Sequence, residues 1–316
     1  MSHVYAEQSA LDQSTIIRPV RPAPQSGWRR ALHRATGGRL NPGDSPQVRA
    51  RSALLERVRQ PLRGDYRIAV MSLKGGVGKT TTTLALGAVF AHVRGDRVIA
   101  VDANPDFGTL AQRAGATSEA TVRDLLAATD TSRYPQVRAY TTQAPSRLEV
   151  IGSERDPAAS EAFSERDYRR TIDILQHHYN IILTDCGTGL MHSAMSGVLA
   201  LANTLVLVTS PALDGAQSAS ATLDWLSLHG YEELASNAVV VVSSARPGQT
   251  PIDVGWLMSF FQSRTRAQQA IPFDQHLSEG SVVDLERMTA PTYQAYLELA
   301  ALVADDFGSW HRHASG

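Results

Sequence analysis

From Tyr66 onward the chain alternates short, unbroken apolar runs with longer segments whose apolar residues recur at helical spacing. The runs YRIAVMSL from Tyr66, RVIAVDA from Arg97, NIILTD from Asn180, NTLVLVTS from Asn203 and NAVVVVSS from Asn237 predict strands. AQQAIPF from Ala267 predicts a shorter one. Between and after them, TTTLALGAVFAHVRG ending at Gly95, SERDYRRTIDILQHHY from Ser164, the stretch Asp214 to His229 and TYQAYLELAALVADDF from Thr292 predict helices. The runs do not alternate apolar with polar residues, so both faces of each strand must be covered. That pattern predicts an α/β fold, a mostly parallel twisted sheet with helices on both faces. Such sheets place ligand sites at the carboxyl ends of their strands.

The pattern before Tyr66 is different. Residues 1 to about 45 include IIRPVRPAPQSGW and TGGRLNPGDSP, are rich in Pro, Gly and Arg, and lack sustained apolar periodicity, so they are expected to be mostly disordered. Within them WRRALHRATGGRL predicts a short basic helix with Trp28, Leu32 and Ala35 on one side. SPQVRARSALLERVRQPL from Ser45 is a stronger helix, opening on Ser-Pro and stopping before Pro61. Charge sharpens the division. Residues 1–64 hold 11 arginines against Glu7, Asp12, Asp44 and Glu56, a balance of +7, so residues 65–316 carry −8 within a net charge of −1. The chain is therefore read as an Arg/Pro-rich leader, 1–64, and a folded domain, 65–316. The leader's charge suits weak contact with anionic membrane, nucleic acid or an acidic protein.

Composition removes several classes. At 316 residues and 43% hydrophobic content the chain can bury a full core. A single cysteine, Cys186, excludes an internal disulfide and zinc sites built from cysteine pairs. The adjacent His177 and His178 fall on different faces of their helix and make poor joint metal ligands. No apolar run reaches the ~18 residues of a spanning helix, and the first 30 residues lack a signal-peptide core. The expectation is a cytoplasmic protein, at most peripheral at the inner face of the membrane.

The chemistry concentrates in MSLKGGVGKTTTT, residues 71–83, which contains both lysines of the chain, Lys74 and Lys79, while 28 of its 30 basic side chains are arginine. KGGVGKT lies between an apolar strand and a helix, the context in which a glycine-rich turn indicates phosphate binding. Gly75, Gly76, Val77 and Gly78 would wrap backbone N–H groups around phosphate oxygens, assisted by the helix amino terminus. Lys79 would reach the β and γ phosphates, Thr80 would offer its hydroxyl to Mg²⁺, and Thr81 would bond the α phosphate. The common P-loop pattern wants glycine where this chain has Leu73 and makes no demand for lysine at 74.

With that departure, KGGVGKT resembles the deviant Walker A motif of the MinD/ParA ATPases, P-loop proteins of three-layer α/β fold. The resemblance implies ATP as the nucleotide, ATP-dependent homodimerisation, and a role for Lys74 across the dimer at the partner subunit's phosphates. VIAVDANPD then resembles the family's Asp-x-Asp motif, with Asp102 near the metal. IILTDCGTG resembles Walker B followed by the switch glycine, with Asp185 holding Mg²⁺ through water and the Gly189 amide sensing the γ phosphate. The second aspartate of Asp-x-Asp, which positions the attacking water, is Asn104 here. An amide orients water but takes no proton, so hydrolysis is expected to be slow unless Asp106 substitutes. For the base, Ser243, Ser244 and Arg246 stand where the family often has asparagine, and Pro272, Phe273 and Asp274 of IPFD resemble the loop beside adenine. GWRRALHRATGG, PLRGDYRIAV, SLKGGVGKTTTT and VDANPD together resemble the EspI-type branch of MinD-like ATPases associated with type VII (ESX) secretion. The expected function is a slow ATPase whose dimer regulates a protein partner in a secretion apparatus. The alternatives are a partitioning or cell-division positioning ATPase on DNA or membrane, and an ATP-holding module with negligible turnover.

Overall fold

The computed structural model describes residues 23–24, 27–104, 108–153, 163–189, 192–248 and 252–308. Two compact units divide between Ala53 and Leu54. In the first, α1 (Gly27–Ala35) buries no residue and leaves Trp28 67% exposed. Arg29 donates to the carbonyls of Pro42, Gly43 and Asp44 at 3.3–3.4 Å and lies over the Trp28 ring. Helix α2 (Pro46–Val58) begins here, with the Ser45 hydroxyl accepting the Val48 N–H as an amino-terminal cap. Residues 1–22, about half of the stretch expected to be disordered, lie outside the described residues.

The second unit starts earlier than the charge boundary at Gly64 suggests. Leu54, Leu55 and Leu62 pack against its core and Val58 is fully buried. Arg94 fastens the segment by donating to the carbonyls of Val58 and Gln60 at 2.6 and 2.8 Å. An apolar stripe buried along a helix outweighs the arginines on its other side, so these residues belong to the folded unit.

The sheet then builds as β1 (Tyr66–Met71), α3 (Lys79–Val93), β2 (Val98–Ala103), α4 (Leu110–Arg113), α5 (Val122–Ala127), α6 (Tyr134–Arg138), β3 (Thr142–Gln143), β4 (Glu149–Ile151), α7 (Glu165–Leu175) and β5 (Ile181–Cys186). It continues through α8 (Ser193–Leu201), β6 (Thr204–Thr209), α9 (Leu213–Leu228), α10 (Glu232–Ser236), β7 (Val239–Ser243), α11 (Val254–Gln262), β8 (Ala267–Ile271), α12 (Gln275–Ser278) and α13 (Ala290–Ala304). The spatial order is β3-β4-β2-β5-β1-β6-β7-β8, parallel throughout except for the β3 edge, which runs antiparallel to β4. Successive residues of β1 enter opposite cores. Ile68 and Val70 join the cluster containing α3 and α13, and Ala69 and Met71 join the one containing α7 to α9. Burial on both faces explains why the strands read as continuous apolar runs. Strands β3 and β4 are absent from the sequence-based expectation because their two and three residues are too short to form a run. Among the described residues, no helix is long and apolar enough to cross a membrane.

Candidate functional site

The turn from Ser72 to Gly78 joins the carboxyl end of β1 to the amino end of α3, near the middle of the sheet. Gly76 and Gly78 have φ of 74° and 95°, a left-handed backbone that side chains disfavour. Ser72 braces the turn, its hydroxyl donating to the Lys74 carbonyl and accepting the Lys74 N–H. The first N–H groups of the 15-residue α3 have no intrahelical acceptor, and its dipole favours an anion there. Val77 is different from its neighbours. Its side chain is buried in the core, so it can serve a phosphate only through its backbone.

The two lysines of this turn go separate ways. Lys79 points inward, its Nζ 2.9 Å from Asp185 Oδ1, with side-chain exposures of 10% and 2%. Asp185 also accepts the Thr80 hydroxyl at 2.6 Å and the Thr83 hydroxyl at 3.2 Å. Lys74 lies at the surface and pairs with Asp214, in the first turn of α9, with exposures of 40% and 64%. That pairing holds the Asp214 carboxyl below the usual range.

Strand register sets Asp102 at the end of β2 directly beside Asp185 at the end of β5. Asp102 is buried and accepts the N–H groups of Asn104 and Leu110 at 3.1 and 3.3 Å. Burial, and after it the negative charge of Asp185, push its carboxyl up to about 7. Two buried carboxylates side by side with one lysine and the Thr80 hydroxyl form an all-oxygen donor set short of positive charge. Mg²⁺ fits such a set, since it favours few protein oxygens and keeps its remaining ligands as water and phosphate. Among the described residues, no group of three or more His, Cys, Asp or Glu side chains is gathered as a metal cage. Asn104 is half-buried just past β2, whereas Asp106 lies outside the described residues.

A cavity of about 190 Å³ opens beside the turn, lined by Gly76, Gly78, Thr81, Ser244, Pro272 and Phe273 among others. Asp274 also lines it, but its carboxylate is spent on the loop. It accepts the His276 and Leu277 N–H groups, capping α12, and both the N–H and hydroxyl of Thr289. Asp274 therefore fixes the shape of the loop at the edge of the pocket. Arg246 is exposed and is not among the residues that line the cavity. Gly189 is likewise exposed, beyond the lining residues. Cys186 is fully buried and its thiol is pushed up to about 12 by that burial, which leaves it an inert apolar filler.

Three further residues of the site carry no mark that sequence reasoning picks up. Arg113 donates to the Thr81 hydroxyl at 2.8 Å and burial lowers the pKa of its guanidinium, which adds a cation beside the turn to Lys74 and Lys79. Asp214 is the partner of Lys74. Gly108 packs so tightly on the site that a Cβ there would stand 2.0 Å from Asp102 Oδ2 and 2.2 Å from Ser153 Oγ. A glycine following an aspartate-rich strand end is the one signal that could have found any of them.

The same arrangement of turn, strand ends and sheet has counterparts among known proteins. The family described as an AAA domain matches residues 66–235. The chain is 40% identical over 285 residues to the ESX-1 secretion-associated protein EspI of Mycobacterium tuberculosis, covering 90% of this chain and 42% of that protein, so it spans about two fifths of that relative's length. It is 26% identical to the sporulation initiation inhibitor protein Soj of Bacillus subtilis, covering 75% of this chain and 97% of Soj. Among solved structures, the cell division ATPase MinD of Pyrococcus furiosus is similar with a TM-score of 0.61 at 22% identity, covering 76% of this chain and 98% of that one. Likeness at that identity is a likeness of fold.

Proposed function

Because the chain belongs to the AAA-domain family in its MinD/ParA-like ATPase form, we propose that it is a nucleotide-dependent dimer switch with slow turnover, acting on a protein partner in type VII secretion. The observation that carries the switch is the divergence of the two lysines. Lys79 is turned into its own subunit and held by Asp185, whereas Lys74 stands at the surface beside an exposed carboxylate. A surface ammonium next to the phosphate turn is available to a second copy of the chain, and the buried one is not. The secretion context rests on likeness to EspI, a secretion-associated protein of which this chain spans less than half.

In this reading the amides of Gly75 to Gly78 and the amino end of α3 bind the phosphates, Thr81 and Arg113 hold the α-phosphate side, and the 190 Å³ cavity takes the base. Thr80, Asp102 and Asp185 would hold Mg²⁺, which when bound offsets the charge that develops on the phosphates. Lys79 exchanges its bond to Asp185 for the β and γ oxygens. Asn104 orients the attacking water without accepting its proton, so turnover is slow.

Two measurements test this. Light scattering of gel-filtered protein with a slowly hydrolysed ATP analogue should show a dimer for the wild type. Lys74→Ala should bind nucleotide as a monomer, and Lys79→Ala should bind none. Identical behaviour of the two variants would remove the cross-subunit role. In single-turnover assays Asn104→Asp should raise hydrolysis by about tenfold or more, and an unchanged rate would remove the account of slow turnover.

A further inference from the structure

Helix α1 separates its side chains by kind. At about 100° of turn per residue, Trp28, Ala31, Leu32 and Ala35 fall within an arc of about 100°, and Arg29, Arg30, His33 and Arg34 occupy the other side. A helix divided in this way ordinarily buries its apolar side against the rest of the protein. This one buries no residue, and Trp28, Ala31 and Ala35 are all exposed. Leu32 is half-buried, and Leu40, just past the helix, is 56% exposed.

Both ends of the helix are fixed. Arg29 stands over the Trp28 ring at 5.4 Å from its centre, while its Nη1 donates to the Pro42 and Gly43 carbonyls at 3.3 Å each. The far end closes on Gly37 and Gly38, with left-handed φ of 59° and 84°, and the Gly38 N–H donates to the His33 carbonyl at 2.9 Å. The Thr36 hydroxyl donates to the Leu32 carbonyl at 2.8 Å and accepts the Leu40 N–H at 3.3 Å. The uncovered apolar face therefore belongs to a capped and braced helix.

Charge selects the kind of surface that covers it. From Gln13 to Gly43 the sequence has six arginines and no aspartate or glutamate, whereas residues 65–316 carry −8. An anionic surface attracts the leader and repels the folded domain. Anionic surfaces differ in what they ask of α1. A nucleic-acid backbone takes the arginines and leaves Trp28, on the other side of the helix, in water. A groove on an acidic protein takes large apolar anchors at successive turns, and the turns after Trp28 offer two alanines beside one leucine. A lipid interface uses both sides at once, with the apolar arc set shallowly among the headgroups, tryptophan at the boundary and flanking arginines on the lipid phosphates. Exposed Arg34 flanks the arc in this way. One tryptophan and one leucine hold a bilayer weakly, so the arginines supply the second attraction. We propose that α1 lies in the plane of an anionic lipid surface, apolar arc inward, and tethers the chain there through its leader.

The test is co-sedimentation of the full chain with vesicles of phosphatidylcholine alone and with about a third of the lipid replaced by phosphatidylglycerol. Labelled duplex DNA and polyglutamate are titrated beside them by fluorescence anisotropy. The wild type should bind anionic vesicles about tenfold more tightly than neutral ones. Trp28→Ser, which keeps every charge, should weaken that binding by about tenfold. Arg34→Gln combined with Arg39→Gln, which keeps the apolar arc, should weaken it by a similar factor. Both variants should bind nucleotide as the wild type does, which reports on their fold and separates this surface from the ATPase reading. The proposal is overturned if anionic vesicles bind no better than neutral ones, if Trp28→Ser binds them as the wild type does, or if duplex DNA or polyglutamate binds more tightly than the anionic vesicles.

Discussion

The two lysine–aspartate pairs of the phosphate turn start five residues apart and have opposite physical characters. Lys79 and Asp185 are almost fully withdrawn from water and share hydrogen bonds with Thr80 and Thr83. Lys74 is partly exposed and Asp214 mostly so. A buried pair is part of the fold, since removing one partner strands the other's charge. An exposed pair is screened, contributes little to stability, and can be traded for another partner at small cost. The contrast teaches that one turn can hold a structural cation and a surface cation, with burial alone deciding which is which.

The largest expected effect of breaking this contrast is on stability. Lys79→Ala should lower the unfolding free energy of the nucleotide-free protein by about 3 kcal/mol in urea titrations, because Asp185 stays buried without its cation. Gly108→Ala should follow, at about 1–3 kcal/mol. The added Cβ must displace Asp102 or Ser153, and Mg²⁺-dependent nucleotide affinity should fall with stability. A smaller effect concerns pH. An unfolded aspartate titrates near 4, whereas folded Asp102 is pushed up to about 7. Between those values the folded chain holds a proton that the unfolded chain has released, so this group lowers stability as pH rises from about 4 to about 7 and adds nothing further above. Asp102→Asn should remove that slope, gaining on the wild type at pH 8 relative to pH 5. The smallest effect belongs to the exposed pair, where Asp214→Asn should leave the thermal midpoint unchanged within about one degree.

Much of this arrangement is legible in the order of the residues alone. Asp102 and Asp185 each close an apolar run, and a run that ends in a carboxylate at a parallel strand's carboxyl end points to a site. The turn announces itself through glycine and lysine at fixed offsets. What cannot be read that way depends on contacts between distant segments. Arg113 lies 32 positions from the threonine it meets, and nothing near it in sequence marks the meeting. Asp274 stands in IPFD, and nothing beside it in sequence marks its bonds to Thr289, 15 positions on. Charge counting puts the leader's end at Gly64, but burial of Val58 puts the folded unit's start at Leu54. In each case the deciding contact comes from packing that sequence proximity does not encode.

The position of β1 has a consequence for how the molecule opens. Flanked by β5 and β6 and buried on both faces, it is an inner strand whose amides are bonded on both sides. Hydrogens in such a strand exchange with solvent mainly when the whole unit unfolds, while a two-residue edge such as β3 exchanges by local fraying. The phosphate turn is therefore attached to the segment that opens last. Ligand bound there and not to the unfolded chain raises the cost of global opening. Its imprint in an exchange experiment would be slowed exchange throughout the central strands, far beyond the residues that touch it.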